Sequence, residues 1–330
     1  MKRTIIQYTT VVLAFLAGMI FMTYMTRMGN RDMTGDMAQA QLPVVYAEQD
    51  GVLYNEMHGY VEDMDGASMR DSVIGVSEDH KVGLALEKYN AQIKSVSYEV
   101  RSLDMSRLIE GGDDLQAEDD GKYLHVSLTL KDLLTQGEEY LLVLKVQTED
   151  QDLVRFYSIL TYLGTNHVQD CVDFAQRFHE MTLTGDSDGV LNYLEQDGSM
   201  DGKNLGYINI HSRSGPVTWG DMQVVETGET SLRFTELESD ITALTMEYQV
   251  TNTETSEQYQ VREAYRLRYT STRIYLLAYE RWTDKILEPG RQLVEDGKLS
   301  FGIQSREPVY MKNTEENVVG FVEQGQLWSY

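Results

Sequence analysis

A single cysteine, Cys171, stands among 330 residues, so no disulfide can form within the chain and no cysteine-based metal module can be built. The soluble part must instead be held by an apolar core. Positive charge is scarce as well: 28 Lys plus Arg face 53 Asp plus Glu, for a formal net charge of −25. Every acid lies beyond residue 31. Such a surface repels phosphate backbones and anionic headgroups, which argues against nucleic acid as a partner and against a second, peripheral membrane attachment. Because the acids are spread over that whole part, solubility accounts for them before a dedicated cation site does. His-Glu-x-x-His and a phosphate-binding glycine loop are both missing.

Long apolar stretches are missing too, with one exception. Residues Ile5 to Tyr24 carry no charge, and as a helix rising about 1.5 Å per residue they reach across a hydrocarbon core of about 30 Å. Lys2 and Arg3 precede the run, while Arg27 and Arg31 follow it and are soon offset by Asp32 and Asp36. The expected layout is a cytoplasmic stub at 1–4, a transmembrane anchor at 5–26 and an extracytoplasmic tether at 27–41. This makes the chain single-pass in the cell membrane, its N-terminus cytoplasmic, its soluble region extracytoplasmic and the lipid bilayer its partner through residues 5–24. A cleaved signal peptide is the rival reading. It suffers because Ala38-Gln39-Ala40 lies far beyond the run and Arg27 and Met28 occupy the place where small residues belong.

The remainder reads as mainly β with one α+β domain. Over 42–163, Val96, Tyr98 and Val100 alternate with polar neighbours, and Leu124, Val126, Leu128 and Leu130 do so more cleanly. Tyr140 to Val146 and Leu153 to Leu160 are more continuously apolar, as central strands are. This block is expected to be β-sandwich-like, with turns at Asp50-Gly51, Asp65-Gly66 and Glu110 to Asp114.

Over 164–288 a helix-plus-antiparallel-sheet block is expected. Val168, Cys171, Val172, Ala175, Phe178 and Met181 recur at helical spacing, with Thr165 or Asn166 placed to cap the start. Leu244, Met246, Tyr248 and Val250 form one strand face; Tyr259, Val261, Tyr265, Leu267 and Tyr269 form the next, and Thr251 to Glu257 connects them. Arg273 to Tyr279 adds a strand. The helix is expected to pack on this tyrosine-rich face, with Cys171, Val172 and Phe178 in the core. Residues 289–330 read as a segment of short strands, such as a longer β domain begins with.

Local patterns with chemical potential are incomplete. Asp186-Ser187-Asp188-Gly189 and Asp197 to Gly202 offer clustered oxygen donors, yet the spacing fails the EF-hand rule, and helix-capping turns explain them better. Glu118-Asp119-Asp120 reads as a hairpin end, and His58-Gly59-Tyr60 as a strand end before a polar turn. His179 falls near a helix end, where packing or capping accounts for it. His211-Ser212-Arg213-Ser214-Gly215 followed by Trp219-Gly220-Asp221 brings together a base, hydroxyls, a guanidinium and a carboxylate. No Gly-x-Ser-x-Gly elbow surrounds Ser212 or Ser214, so the segment reads as a ligand-contact loop through His211, Arg213, Trp219 and Asp221 rather than as a catalytic centre.

No catalytic residue, metal ligand or cofactor emerges. The reading is a membrane-anchored, noncatalytic extracytoplasmic protein that binds another envelope protein or a surface polymer. The competing reading is an anchored hydrolase of the cell envelope acting on peptide, peptidoglycan or glycan.

Overall fold

The computed structural model describes residues 15–23, 42–70, 72–113, 115–131, 133–149, 153–165, 167–197, 205–287, 294–295, 298–299, 301–306, 309–315, 317–323 and 326–329. It is mainly β, in several sheets whose strand pairs are almost all antiparallel. The described residues from 42 onward fall in one compact unit. Most of the apolar N-terminal run lies outside the described residues. Its part at 15–23 is helical with exposed side chains, and no helix among the described residues is long and apolar enough to cross a membrane.

The first block folds into two five-stranded sheets. One has the order β2(Val52–His58), β1(Val44–Gln49), β4(Lys81–Glu87), β8(Tyr123–Thr129), β7(Ala117–Asp119); the other has β3(Val73–Ser77), β10(Leu153–Gly164), β9(Glu139–Thr148), β5(Ile93–Arg101), β6(Leu108–Gly112). Alternation decides which faces are inside: on β5, Val96, Tyr98 and Val100 are buried and their neighbours are not. The central strands β9 and β10 are buried along most of their length, matching their unbroken apolar sequence. The pair β10–β3 is parallel, with Ile159 opposite Val73; alternation alone does not reveal that. At the acidic hairpin end, Asp120 accepts from the Lys122 and Tyr123 amides, while Lys88 pairs with Asp119.

The second block opens with helix α1(Val168–Thr184), which buries Val168, Cys171, Val172, Phe174, Ala175, Phe178, His179 and Thr182. Its N-cap position is His167, with no side-chain cap bond. Thr165 is therefore not the cap, and Asn166 lies outside the described residues. The imidazole of His167 instead stacks on Tyr269, centroids 3.5 Å apart. Gly185 ends the helix in the left-handed region at φ 76°, which glycine enters without strain. Asp186 then caps α2(Ser187–Leu191), accepting from the Gly189 amide at 2.9 Å, so this acid serves as a helix cap. The Asp197–Gly202 segment falls almost wholly outside the described residues.

A five-stranded antiparallel sheet follows, ordered β11(Tyr207–Asn209), β15(Ile274–Lys285), β14(Gln258–Tyr269), β13(Ile241–Asn252), β12(Val224–Leu237), with α3(Ser214–Val217) between β11 and β12. Its inner face meets α1: the Phe178 ring lies 5.9 Å from Tyr265 and 4.9 Å from Tyr279. One buried apolar cluster runs from Val45 in β1 to Tyr279 in β15 and so joins both blocks. A polar link accompanies it: buried Asn55 donates to the Val73 carbonyl at 2.8 Å and accepts from the Phe234 amide at 2.7 Å. Farther on, β16(Val294–Glu295) pairs with β17(Lys298–Leu299), and β18(Tyr310–Lys312), β19(Val319–Glu323) and β20(Gln326–Ser329) form a three-stranded sheet.

Candidate functional site

Beneath α1 the inner sheet face carries a charged group where the strand pattern calls for an apolar one. Val261, Glu263, Tyr265 and Leu267 share the inward parity of β14, and Glu263 is fully buried. It receives Tyr265 Oη–H on Oε2 at 2.6 Å and Tyr279 Oη–H on Oε1 at 2.8 Å. His179 Nδ1 approaches the same Oε2 at 3.1 Å, and its Nε2 approaches Glu226 Oε2 at 3.3 Å. A carboxylate at each ring nitrogen requires the imidazolium, the only form that donates from both. Burial opposes that charge, but hydrogen bonding and attraction from Glu263 and Glu226 outweigh it and raise the pKa of His179. Burial likewise opposes the Glu263 charge, and His179, with Arg281 and the Tyr265 hydroxyl, outweighs it and holds this carboxyl below its ordinary range. The edge of the His179 ring faces Tyr248 at 4.5 Å, whose hydroxyl burial pushes well above its usual pKa.

Next to this group, Arg281 is also fully buried. Its guanidinium donates to the Val217 and Pro216 carbonyls at 2.8 and 2.9 Å and lies 3.9 Å from the Trp219 ring centroid. The last turn of α3 leaves the Val217 carbonyl without a helical partner; this cation donates to it and shares the Pro216 carbonyl with the Trp219 amide, which lies 3.2 Å away. A histidine–glutamate pair has the chemistry of a general base. Here the carboxylate is saturated by three donors inside the core, and His179 is only 7% exposed. The cluster fastens α1 to the sheet.

The loop singled out from sequence is divided by the fold. Trp219 is 1% exposed, packed in the interior against Arg281 rather than offered to a ligand. His211 is half-buried, its Nδ1 2.8 Å from the Glu195 carbonyl and 3.5 Å from Asp197. Arg213 and Asp221 are exposed. Among the described residues no hydrogen bond joins His211, Ser214 and Asp221. Ser187, centred in a Gly-x-Ser-x-Gly spacing, opens α2 directly after α1 and pairs with the Thr218 hydroxyl at 3.0 Å; it has no strand-to-helix elbow. Among the described residues no group of His, Cys, Asp and Glu is arranged to hold a metal.

The outward face of the same sheet is different. Strand register places Ser231, Glu247, Arg262, Trp282 and Tyr207 in one row across all five strands. Thr227, Gln249, Gln260 and Asp284 form the adjoining row. Two open hollows lie over these rows, of about 380 and 390 Å³, and they share Glu247 and Gln260. Arg306 borders the first, carried there by a segment that Asp284 holds through the Ser305 amide and hydroxyl at 2.7 and 3.1 Å. Arg233, Glu56 and His58 border the second. Trp282 lies under the Arg262 guanidinium at 5.3 Å and beside Tyr207 at 5.8 Å.

Sequence reasoning passed over both features. Glu263 at an inward strand position and His179 beside Phe178 on an apolar helix face were legible signals, one for each half of the buried pair. The outer rows leave no such mark, because residues from five strands meet only once the register is known.

No protein-family model matches the chain, and no curated protein matches it. Among solved structures, a crystal structure of an engineered protein is 11% identical with a TM-score of 0.23. The match covers 37% of this chain and 21% of the other, about a fifth of that protein's length, and carries no argument about fold or function.

Proposed function

We propose that this is a membrane-anchored extracytoplasmic protein that binds another envelope protein or a surface polymer without cleaving it. The anchor is the uncharged run at residues 5–24, the N-terminus is cytoplasmic and the acidic remainder lies outside the membrane. One observation carries the binding reading: the His179–Glu263 pair is locked inside the core, whereas the open concave surface on the outward sheet face presents an aromatic side chain among paired polar groups. Concave surfaces with a few converging polar groups are where ligands bind.

Protease treatment of intact or wall-stripped cells tests the topology: residues 32–330 are digested and the stub is protected. Recovery of a mature soluble chain starting near Asp32 or Gln41 rejects the anchor. Capture from a cell-envelope extract, with product analysis of what is retained, tests the rest. Turnover of the retained material rejects binding without cleavage in favour of an anchored hydrolase.

A further inference from the structure

Resting on the binding reading above, we infer that the outward rows of the second sheet form a groove for a neutral, linear glycan. The first argument is geometric. Ser231, Glu247, Arg262 and Trp282 come from four adjacent strands in register, and at about 4.8 Å between strands they span roughly 14 Å. That is the length of a short run of sugar rings, not of one monosaccharide. The two hollows adjoin along this direction, since Glu247 and Gln260 line both.

The second argument is chemical. A pyranose ring has an apolar C–H face and a rim of hydroxyls that each donate and accept. Trp282 supplies an indole ring for the C–H face, reached as the Arg262 guanidinium that lies over it turns to the sugar's hydroxyls. Its neighbours supply planar donors and acceptors for the rim: the Arg262 guanidinium, the Gln260 amide and the Glu247 and Asp284 carboxylates. Gln249 Nε2 stands 3.3 Å from Gln260 Oε1, so the second hollow continues the amide lining of the first. Arg262 is itself ordered by Glu247 at 3.7 Å and by the Trp282 ring.

The third argument is charge. Arg262, Arg306 and Arg233 around the hollows are outnumbered by Glu247, Asp284, Glu56 and Glu229, on a chain with a net charge of −25. A polyanion meets no excess of positive charge here and a repelling field around it. A protein partner would need apolar anchors at the centre of its contact, and the hollows hold mainly polar side chains around one indole.

The test is titration of the full chain, held in a detergent without a sugar headgroup, with chitohexaose and laminarihexaose while tryptophan fluorescence is followed. Heparin is the anionic comparison. The expected result is saturable quenching by at least one neutral hexaose, nearly unchanged over roughly a ten-fold range of ionic strength. Trp282→Ala should weaken it about ten-fold or more, as loss of a stacking partner does. Gln260→Ala should weaken it less, and Trp328→Phe should leave it intact. Failure of both hexaoses, unchanged affinity in Trp282→Ala with wild-type melting, or steeply salt-dependent binding of heparin alone overturns the glycan groove. Envelope capture that survives Trp282→Ala overturns the groove and spares the broader binding reading. If the unaltered chain captures nothing from envelope extract and binds no hexaose, the broader reading fails as well.

Discussion

His179 and Glu263 stand 84 residues apart in sequence, and their side chains meet at 3.1 Å inside the core. Burial opposes the charge on each; Glu263 and Glu226 favour it on His179, and His179, Arg281 and Tyr265 favour it on Glu263. Taking Glu263 away strips His179 of its fully buried counter-ion and leaves it only the more exposed Glu226 at 3.3 Å, so Glu263→Gln should lower stability by about 3–5 kcal/mol. Chemical denaturation measures this, and a loss below about 1 kcal/mol contradicts the pairing.

The same pair sets a pH window. The His179 pKa is raised by folding, so its contribution is complete below about pH 6.5 and is lost as pH rises through the folded value. The Glu263 pKa is lowered, so its contribution is complete above about pH 4.3 and is lost as pH falls through the folded value. The double variant His179→Met/Glu263→Gln removes both titrations. Its Tm should lie furthest below wild type between about pH 4.3 and 6.5, and the gap should narrow on the alkaline side. A gap that widens above pH 7 contradicts the assignment.

Cys171 is wholly buried, and burial pushes its thiol pKa up. Native protein should therefore resist alkylation until it unfolds, with the modification rate tracking denaturant-induced opening. Cys171→Ser should cost about 1 kcal/mol, the low end for a buried hydroxyl, because the Thr242 side chain that hydrogen-bonds Cys171 can pair with it. Rapid modification of the folded thiol contradicts this packing role.

Trp219 and Arg213 share a loop but should behave oppositely. Trp219→Ala empties an interior position and strips Arg281 of its aromatic neighbour, an expected loss of about 3–5 kcal/mol. Arg213→Ala, on the surface, should stay within about 0.5 kcal/mol of wild type. Thermal melts of the two single variants decide. A mild Trp219 variant would place that ring outside the core.

Asn55 couples the two blocks. Its backbone sits at φ 53°, a conformation asparagine tolerates better than most residues. Asn55→Ala strands the Val73 carbonyl and the Phe234 amide in the interior, with an expected loss of about 2–5 kcal/mol. Hydrogen exchange at the Phe234 amide should rise more than at the centre of β9. Unchanged protection at Phe234 contradicts the link.

Sequence by itself determined the elements whose patterns are local. Strand alternation at Val96 to Val100 and Leu124 to Leu130, the unbroken apolar runs of β9 and β10, and the helical stripe from Val168 through Phe178 each follow from residue periodicity and a single buried side. The packing of the tyrosine-rich strands against that helix was legible for the same reason. Strand β12 was not, because Glu226, Thr227, Gly228, Glu229 and Thr230 interrupt alternation at a bulge where the register shifts between Thr227 and Ser231. The parallel pairing of β3 with β10 and the union of both blocks through Asn55 depend on contacts between distant segments.

Tertiary structure alone decided which polar residues go inside. Trp219 reads as a surface aromatic until Arg281, 62 positions later, is found against its ring, and Glu263 reads as an interruption until His179 arrives on α1. The physical reason is that a buried charge is tolerable only beside its partner. That partner is supplied by the fold, from a part of the chain that local pattern does not reach.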